Sequence, residues 1–248
     1  MTNSPRTLEG FSASRQLRQR GKVEWLRATS HPMIREMGAG TLPHETFRFY
    51  FEQNIIYLHE YARSIARTIS HVSDLEGISV LSRFLVQIVD VEIPANYHFF
   101  SRLGGSLDAL GHVDASTTTR SYTSFLKEIT ARDSPAQSLA ALLPCQWSYG
   151  EIATGLMISA PEDPIYADWI EMFAAPGYDV LVQASNQLLD RCAHDEGAPI
   201  DTLSEIFDRS ISFEAAFWQM AYTRDRETLD QSSTHHSSHQ PKGDTNAK

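Results

Sequence analysis

The 248-residue chain is predicted to be all-α, a bundle of about eight helices joined by short connections. Three observations predict it. Apolar residues recur at three- and four-residue steps through most of the chain, as on one face of an α-helix. No segment alternates apolar and polar residues convincingly, as a half-buried strand would. Helix starts and stops punctuate the chain, with no internal repeat and no stretch that reads as a linker, so the helices share one core.

The elements follow in order. Residues 12–28 read as one helix with Leu17, Trp25 and Leu26 among its apolar positions. In "SHPMIREMGAGTLP", Ser30 and Pro32 have helix-start chemistry, and Gly38 and Gly40 are stops. A long helix is expected from Pro43 to His71, with Phe47, Phe51, Ile55, Leu58, Ala62 and Ile65 on its inner face. Another should run from Asp74 to Leu103 and bend at Pro94, which removes a hydrogen bond and crowds the preceding turn. Helices over 116–131 and 135–160 come next, the second started by Ser134-Pro135 and bent at Pro144. Segments 164–174, 177–194 and 201–223 complete a domain spanning 12–225. Residues 1–11 are expected to be a flexible start. From Arg226 the chain has no apolar face, so 226–248 is expected to be a disordered polar tail. His235, His236 and His239 within it read as solvated rather than metal-binding.

Composition narrows the function classes. The residues are 42% hydrophobic, enough for one sizeable core. Formal net charge is -10 without a basic stripe, which argues against nucleic acid and anionic membrane as partners. No apolar run spans a bilayer, and "MTNSPRTLEGFSASRQ" lacks the apolar core of a signal peptide. Cys145 and Cys192 are too few for a disulfide framework or a zinc site. A cytoplasmic, reducing setting is expected.

Three stretches could carry chemistry. In "AALLPCQWSYGEIA", Cys145 follows Pro144 and stands four residues before Tyr149, so a kink can open a pocket that both side chains face. A free cysteine is equally a small buried hydrophobe, as Cys192 in "LLDRCAHDE" would be. In "FYFEQNIIYLHEYAR", Asn54, Tyr57 and Tyr61 share a stripe. A buried amide there either bonds another helix or recognises a polar heterocycle walled by tyrosines. In "SISFEAAFWQMAY", Glu214 shares a face with Phe217 and Trp218. It is a surface glutamate at the edge of an aromatic stripe, or a desolvated acid able to donate a proton near neutrality. No phosphate-binding loop, H-E-x-x-H, G-x-S-x-G or Glu-x-x-His pair is present on these helices, and Glu92 and His98 have the wrong spacing for a di-iron site.

Taken together, these stretches resemble the TenA (thiaminase II) family. The resemblance runs in order across residues 12–223, through "HPMIREMGAGTLPHETFRFYFEQNIIYLHEYAR", "AALLPCQWSYGEIA", "PIYADWIEMF" and "FEAAFWQMAY". It implies a haem-oxygenase-like helical bundle, usually a homotetramer, that hydrolyses a pyrimidine in thiamin salvage without metal or other cofactor. It also implies roles. Cys145 matches the nucleophile and Glu214 the acid that protonates the ring. Tyr57, Tyr122, Tyr149 and Phe217 match residues that wall or hydrogen-bond the ring. Asn54 stands where the typical member has an aspartate gripping the pyrimidine amino group, and Phe173 where many have a tyrosine. The implied reaction adds the cysteine sulfur to the ring, expels the group on the exocyclic methylene and adds water there. The leaving group would be the thiazolium of thiamin or the ammonia of an aminomethylpyrimidine.

The two departures leave two expectations. The protein is a weak hydrolase that Asn54→Asp would improve about tenfold, or its pocket fits another ring substituent and Asn54→Asp would bury an unmatched charge. A non-catalytic pyrimidine-binding or regulatory protein is the competing reading. A cofactor-free oxidase resembling PqqC fits less well, because it would need a basic pocket.

Overall fold

A computed structural model describes residues 12–225, and those residues form an all-helical bundle without strands. The segments expected to be a flexible start and a polar tail, 1–11 and 226–248, lie outside the described residues. The helices are α1 (Ala13–Arg20), α2 (Lys22–Thr29), α3 (Pro32–Gly38), α4 (His44–His71), α5 (Leu75–Val86) and α6 (Ile93–Arg102). They continue with α7 (Leu107–Leu110), α8 (Thr117–Thr130), α9 (Pro135–Leu156), α10 (Pro164–Ala174), α11 (Pro176–Asp195) and α12 (Ile200–Thr223). The number exceeds about eight partly because two expected helices are interrupted.

The first interruption is at Gly21, which separates α1 from α2. A Cβ there would lie 2.6 Å from Asp208 Oδ1 and 3.3 Å from the Leu17 carbonyl oxygen, so only glycine lets this corner approach α12 without displacing a neighbour. The second lies between α5 and α6, where Gln87–Glu92 winds as a π-helix. Pro94 has no N–H for the carbonyl four residues back, and its ring crowds that carbonyl. The chain widens the turn before the proline instead of simply bending at it. At α3, His31 rather than Ser30 is the cap: its Nδ1 accepts from the Met33 N–H at 3.2 Å. Ser30 Oγ turns back to donate to the Leu26 carbonyl.

Helix α9 is the axis of the bundle and packs on α4, α8, α10, α11 and α12. Residues Leu139 to Gln146 are all buried. A helix apolar on every side belongs inside; α4 and α12, amphipathic and long, cover it with one face each. Leu139 is fully buried, and Leu139→Ala is expected to cost about 3 kcal/mol through lost transfer energy and the cavity left behind. Urea denaturation measures this, and a cost below about 1 kcal/mol would contradict the central place of α9.

Candidate active site

The site grows from a defect in α9. Pro144 deprives the helix of one N–H, and the carbonyls just before it find partners on other helices. Ser210 Oγ of α12 donates to the Ala141 carbonyl at 2.6 Å, and Tyr61 Oη of α4 donates to the Leu142 carbonyl at 2.7 Å. These bonds pull α12 and α4 against α9 one turn before Cys145. The same stretches of α4 and α12 carry Tyr57 and Glu214.

Cys145, Glu214, Tyr57 and Tyr122 meet in the interior. Tyr122 Oη, from α8, donates to Glu214 Oε1 at 2.6 Å and lies 3.3 Å from Ser210 Oγ. The Cys145 thiol faces the Glu214 carboxyl on one side and the Tyr57 hydroxyl on the other. That hydroxyl is buried and completes no well-formed hydrogen bond among the described residues. Glu214 is 2% exposed. Burial pushes its pKa up to about 7, against the pull of the hydrogen bonds from Tyr122 and Cys145. Burial also pushes the Cys145 thiol well above its ordinary value; the Glu214 charge adds to this and the nearby Tyr57 hydroxyl opposes it. At neutral pH the resting pair is therefore a neutral thiol beside a carboxyl poised to take or give a proton.

Aromatic rings enclose this pair. Tyr57 packs on Tyr122 at 4.8 Å between centroids and on Phe217 at 5.7 Å. Tyr149 stacks on Trp218 at 5.2 Å, and its hydroxyl accepts from Tyr50 Oη at 3.1 Å. Phe173 meets Tyr149 edge-on at 5.1 Å and Tyr178 at 5.3 Å, so it backs the Tyr149 wall. The outer side of Phe173 lines a cleft of about 260 Å³ together with Trp147, Gly150 and Val182. Asn54 is buried on α4 and donates through Nδ2 to Asn96 Oδ1 on α6 at 2.8 Å. Cys192, on α11, is half-buried and does not join the set.

Sequence reasoning missed Tyr50, Asn96 and Ser210. Tyr50 stands four residues before Asn54 on the same helical face, a spacing that was available. Asn96 and Ser210 gave no signal of their own, because each acts through a partner on another helix.

Tyr122→Phe tests the electrostatics. The Tyr122 hydroxyl favours the charged carboxylate, so its loss is expected to raise the Glu214 pKa above about 7. Turnover should fall about tenfold at neutral pH and recover in part at higher pH. An unchanged pH profile would mean that Glu214 does not carry the proton.

The bundle thus encloses a buried thiol–carboxyl pair among tyrosine and tryptophan rings. Residues 18–224 match the profile of the TENA/THI-4/PQQC family, and the chain belongs to that family. An aminopyrimidine aminohydrolase of Halalkalibacterium halodurans is 33% identical over 218 residues, covering 86% of this chain and 95% of the relative. A TenA family transcription regulator from Silicibacter sp. TM1040 superposes with a TM-score of 0.80 at 26% identity, covering 86% of this chain and 97% of that one. A domain of unknown function from Shewanella denitrificans, with a haem-oxygenase-like fold, superposes with a TM-score of 0.65 at 15% identity over 85% and 92% of the two chains. The bundle has the haem-oxygenase-like fold.

Proposed function

We propose that the protein is a hydrolase of the thiaminase II type, an aminopyrimidine aminohydrolase acting in thiamin salvage. The observation that carries this reading is the Cys145 thiol set against Glu214, with Tyr122 holding the carboxyl. The identity to an aminopyrimidine aminohydrolase over most of both chains supports it.

The aminopyrimidine ring lies between Tyr57, Tyr122, Tyr149 and Phe217, with Asn54 at its edge. Glu214, as carboxylate, accepts the thiol proton and hands it to a ring nitrogen. The sulfur forms a bond to a ring carbon, and aromaticity is lost. Electrons then flow out through the exocyclic methylene, whose bond to ammonia or thiazole breaks. Water adds to that methylene and gives a proton to the Glu214 carboxylate, the C–S bond breaks, and the ring nitrogen returns its proton to the departing sulfur. The product is a hydroxymethylpyrimidine plus the released amine. Beyond substrate and water, the scheme uses only the protein's side chains.

A homotetramer in the cytoplasm is part of this proposal. Val86 at the end of α5, and Val89 and Val91 in the π-helical turn after it, are exposed apolar side chains that an assembly would cover. Among the described residues no helix is long and apolar enough to cross a membrane. Light scattering measures the assembly.

The Silicibacter relative keeps a regulatory reading open, in which the pocket only binds. A thiol aligned with a carboxyl poised near neutrality is unnecessary for binding, which favours catalysis. The deciding experiment offers thiamin, an aminomethyl-aminopyrimidine and its N-formyl precursor, and reads products by mass. Hydroxymethylpyrimidine is expected from the aminomethyl substrate. Tight binding of all three without turnover would favour the regulatory reading.

A further inference from the structure

Two buried asparagines form a chain of amides with a fixed direction. Asn96 Nδ2 donates to the Glu92 backbone carbonyl at 2.7 Å, and Asn54 Nδ2 donates to Asn96 Oδ1 at 2.8 Å. The direction is forced from one end. A backbone carbonyl only accepts, so the Asn96 amide must turn its nitrogen to Glu92 and its oxygen to Asn54. Asn54 must answer with its own nitrogen. That leaves Asn54 Oδ1 on the side of the amide turned away from Asn96, fixed as an acceptor. Asn54 sits between Tyr50 and Tyr57 on α4, and both flank the thiol–carboxyl site. The anchor, Glu92, is the last residue of the π-helical turn.

Building on the proposed aminopyrimidine reading, we infer that Asn96 is a positioning residue that locks Asn54 as an acceptor and thereby makes the site select a ring bearing an exocyclic amino group over its oxo counterpart. An aminopyrimidine offers an N–H on the amino group beside an unprotonated ring nitrogen. Asn54 Oδ1 accepts the first, and the second Asn54 N–H is the matching donor for the other. A 4-oxo ring offers the reverse pattern, a carbonyl beside a ring N–H. A free amide reads either pattern by rotating half a turn, but a locked one reads only the first. Asn54→Asp meets the same constraint. It would set a carboxylate oxygen against Asn96 Oδ1, two acceptors face to face, while Asn96 cannot turn without facing the Glu92 carbonyl with oxygen. The expected tenfold gain from Asn54→Asp therefore gives way to a loss.

The test measures binding of a 4-amino-5-hydroxymethylpyrimidine and its 4-oxo counterpart by calorimetry, with turnover of the aminomethyl substrate alongside. The wild type is expected to prefer the amino ring by about 100-fold, the scale of one bidentate pair read correctly. Asn96→Leu frees the Asn54 amide, and the preference should fall to within about threefold, chiefly because the oxo ring now binds. A merely structural role would weaken both rings together and leave their ratio intact. Asn96→Ala serves if Asn96→Leu fails to fold. Should neither fold, the wild-type ratio decides: about 100-fold supports the inference, and a ratio below about tenfold overturns it. A wild type that hydrolyses the aminomethyl substrate yet binds both rings alike, or a preference that survives in the Asn96 variants, overturns this inference alone. A wild type that binds neither ring overturns the functional reading as well.

Discussion

Cys145→Ser is expected to lower kcat/KM on the aminomethyl substrate by at least about 10³-fold while leaving pyrimidine binding within a few-fold of wild type. The serine hydroxyl fits the same buried space and can still donate to Glu214. It is a far weaker acid than the thiol, so a carboxylate with a pKa of about 7 cannot take its proton at useful frequency. Binding survives because the rings of Tyr57, Tyr122, Tyr149 and Phe217 are untouched. Steady-state kinetics and calorimetry together separate the two effects. Cys192→Ser, on α11 and outside the site, should leave both unchanged. A matching loss there would move the chemistry from Cys145 to Cys192.

Glu214→Gln is the second large effect. The glutamine oxygen can keep the hydrogen bond from Tyr122, so the site holds its shape. What disappears is the proton carrier between sulfur and ring, and the expected loss is about 10²- to 10⁴-fold in kcat. In the wild type, kcat/KM should rise with pH through about 7 as Glu214 loses its proton and becomes able to accept from the thiol. The variant should lack that rise. Stability changes in step with the sign of the shift. Between the ordinary value of 4.5 and about 7, the unfolded chain has released the Glu214 proton while the folded chain still holds it. Wild-type stability therefore falls as pH rises through that window, by something on the order of a few kcal/mol, and is flat in this respect above it. Glu92, pushed by burial up to about 8, adds a fall of the same sign over a wider window. Denaturant unfolding of wild type and Glu214→Gln at pH 5 and pH 8 isolates the Glu214 part. The variant should gain relative to wild type at the higher pH. A constant difference would mean that Glu214 is ionised at both.

Much of this site is legible in the sequence, for unequal reasons. The long helices α4 and α12 show their inner faces through spacing alone, since each buries one side against α9. The run from Leu139 to Gln146 shows no such face because it has no outer side, yet length and the Ser134-Pro135 start still mark it as a helix. The stripe carrying Asn54, Tyr57 and Tyr61 and the grouping of Glu214 with Phe217 are local patterns. Joining Cys145 to Glu214 needs knowledge of which helices meet, and only family resemblance supplied that. The break at Gly21 escaped notice because it depends on how closely Asp208 approaches from α12. The π-turn before Pro94 escaped because periodicity does not report which way a helix relaxes around a proline. Asn96 lies two residues beyond that proline, and its meaning comes from Asn54 on another helix and from the Glu92 carbonyl.

The central claim is that Cys145 sulfur bonds to the ring during turnover. Acid-quenching the protein within milliseconds of mixing with saturating aminomethyl-aminopyrimidine, followed by intact mass measurement and peptide mapping, tests it most directly. The expected result is added pyrimidine mass on the peptide bearing Cys145, absent in Cys145→Ser. Pyrimidine mass on any other residue, or full turnover by Cys145→Ser, would contradict it.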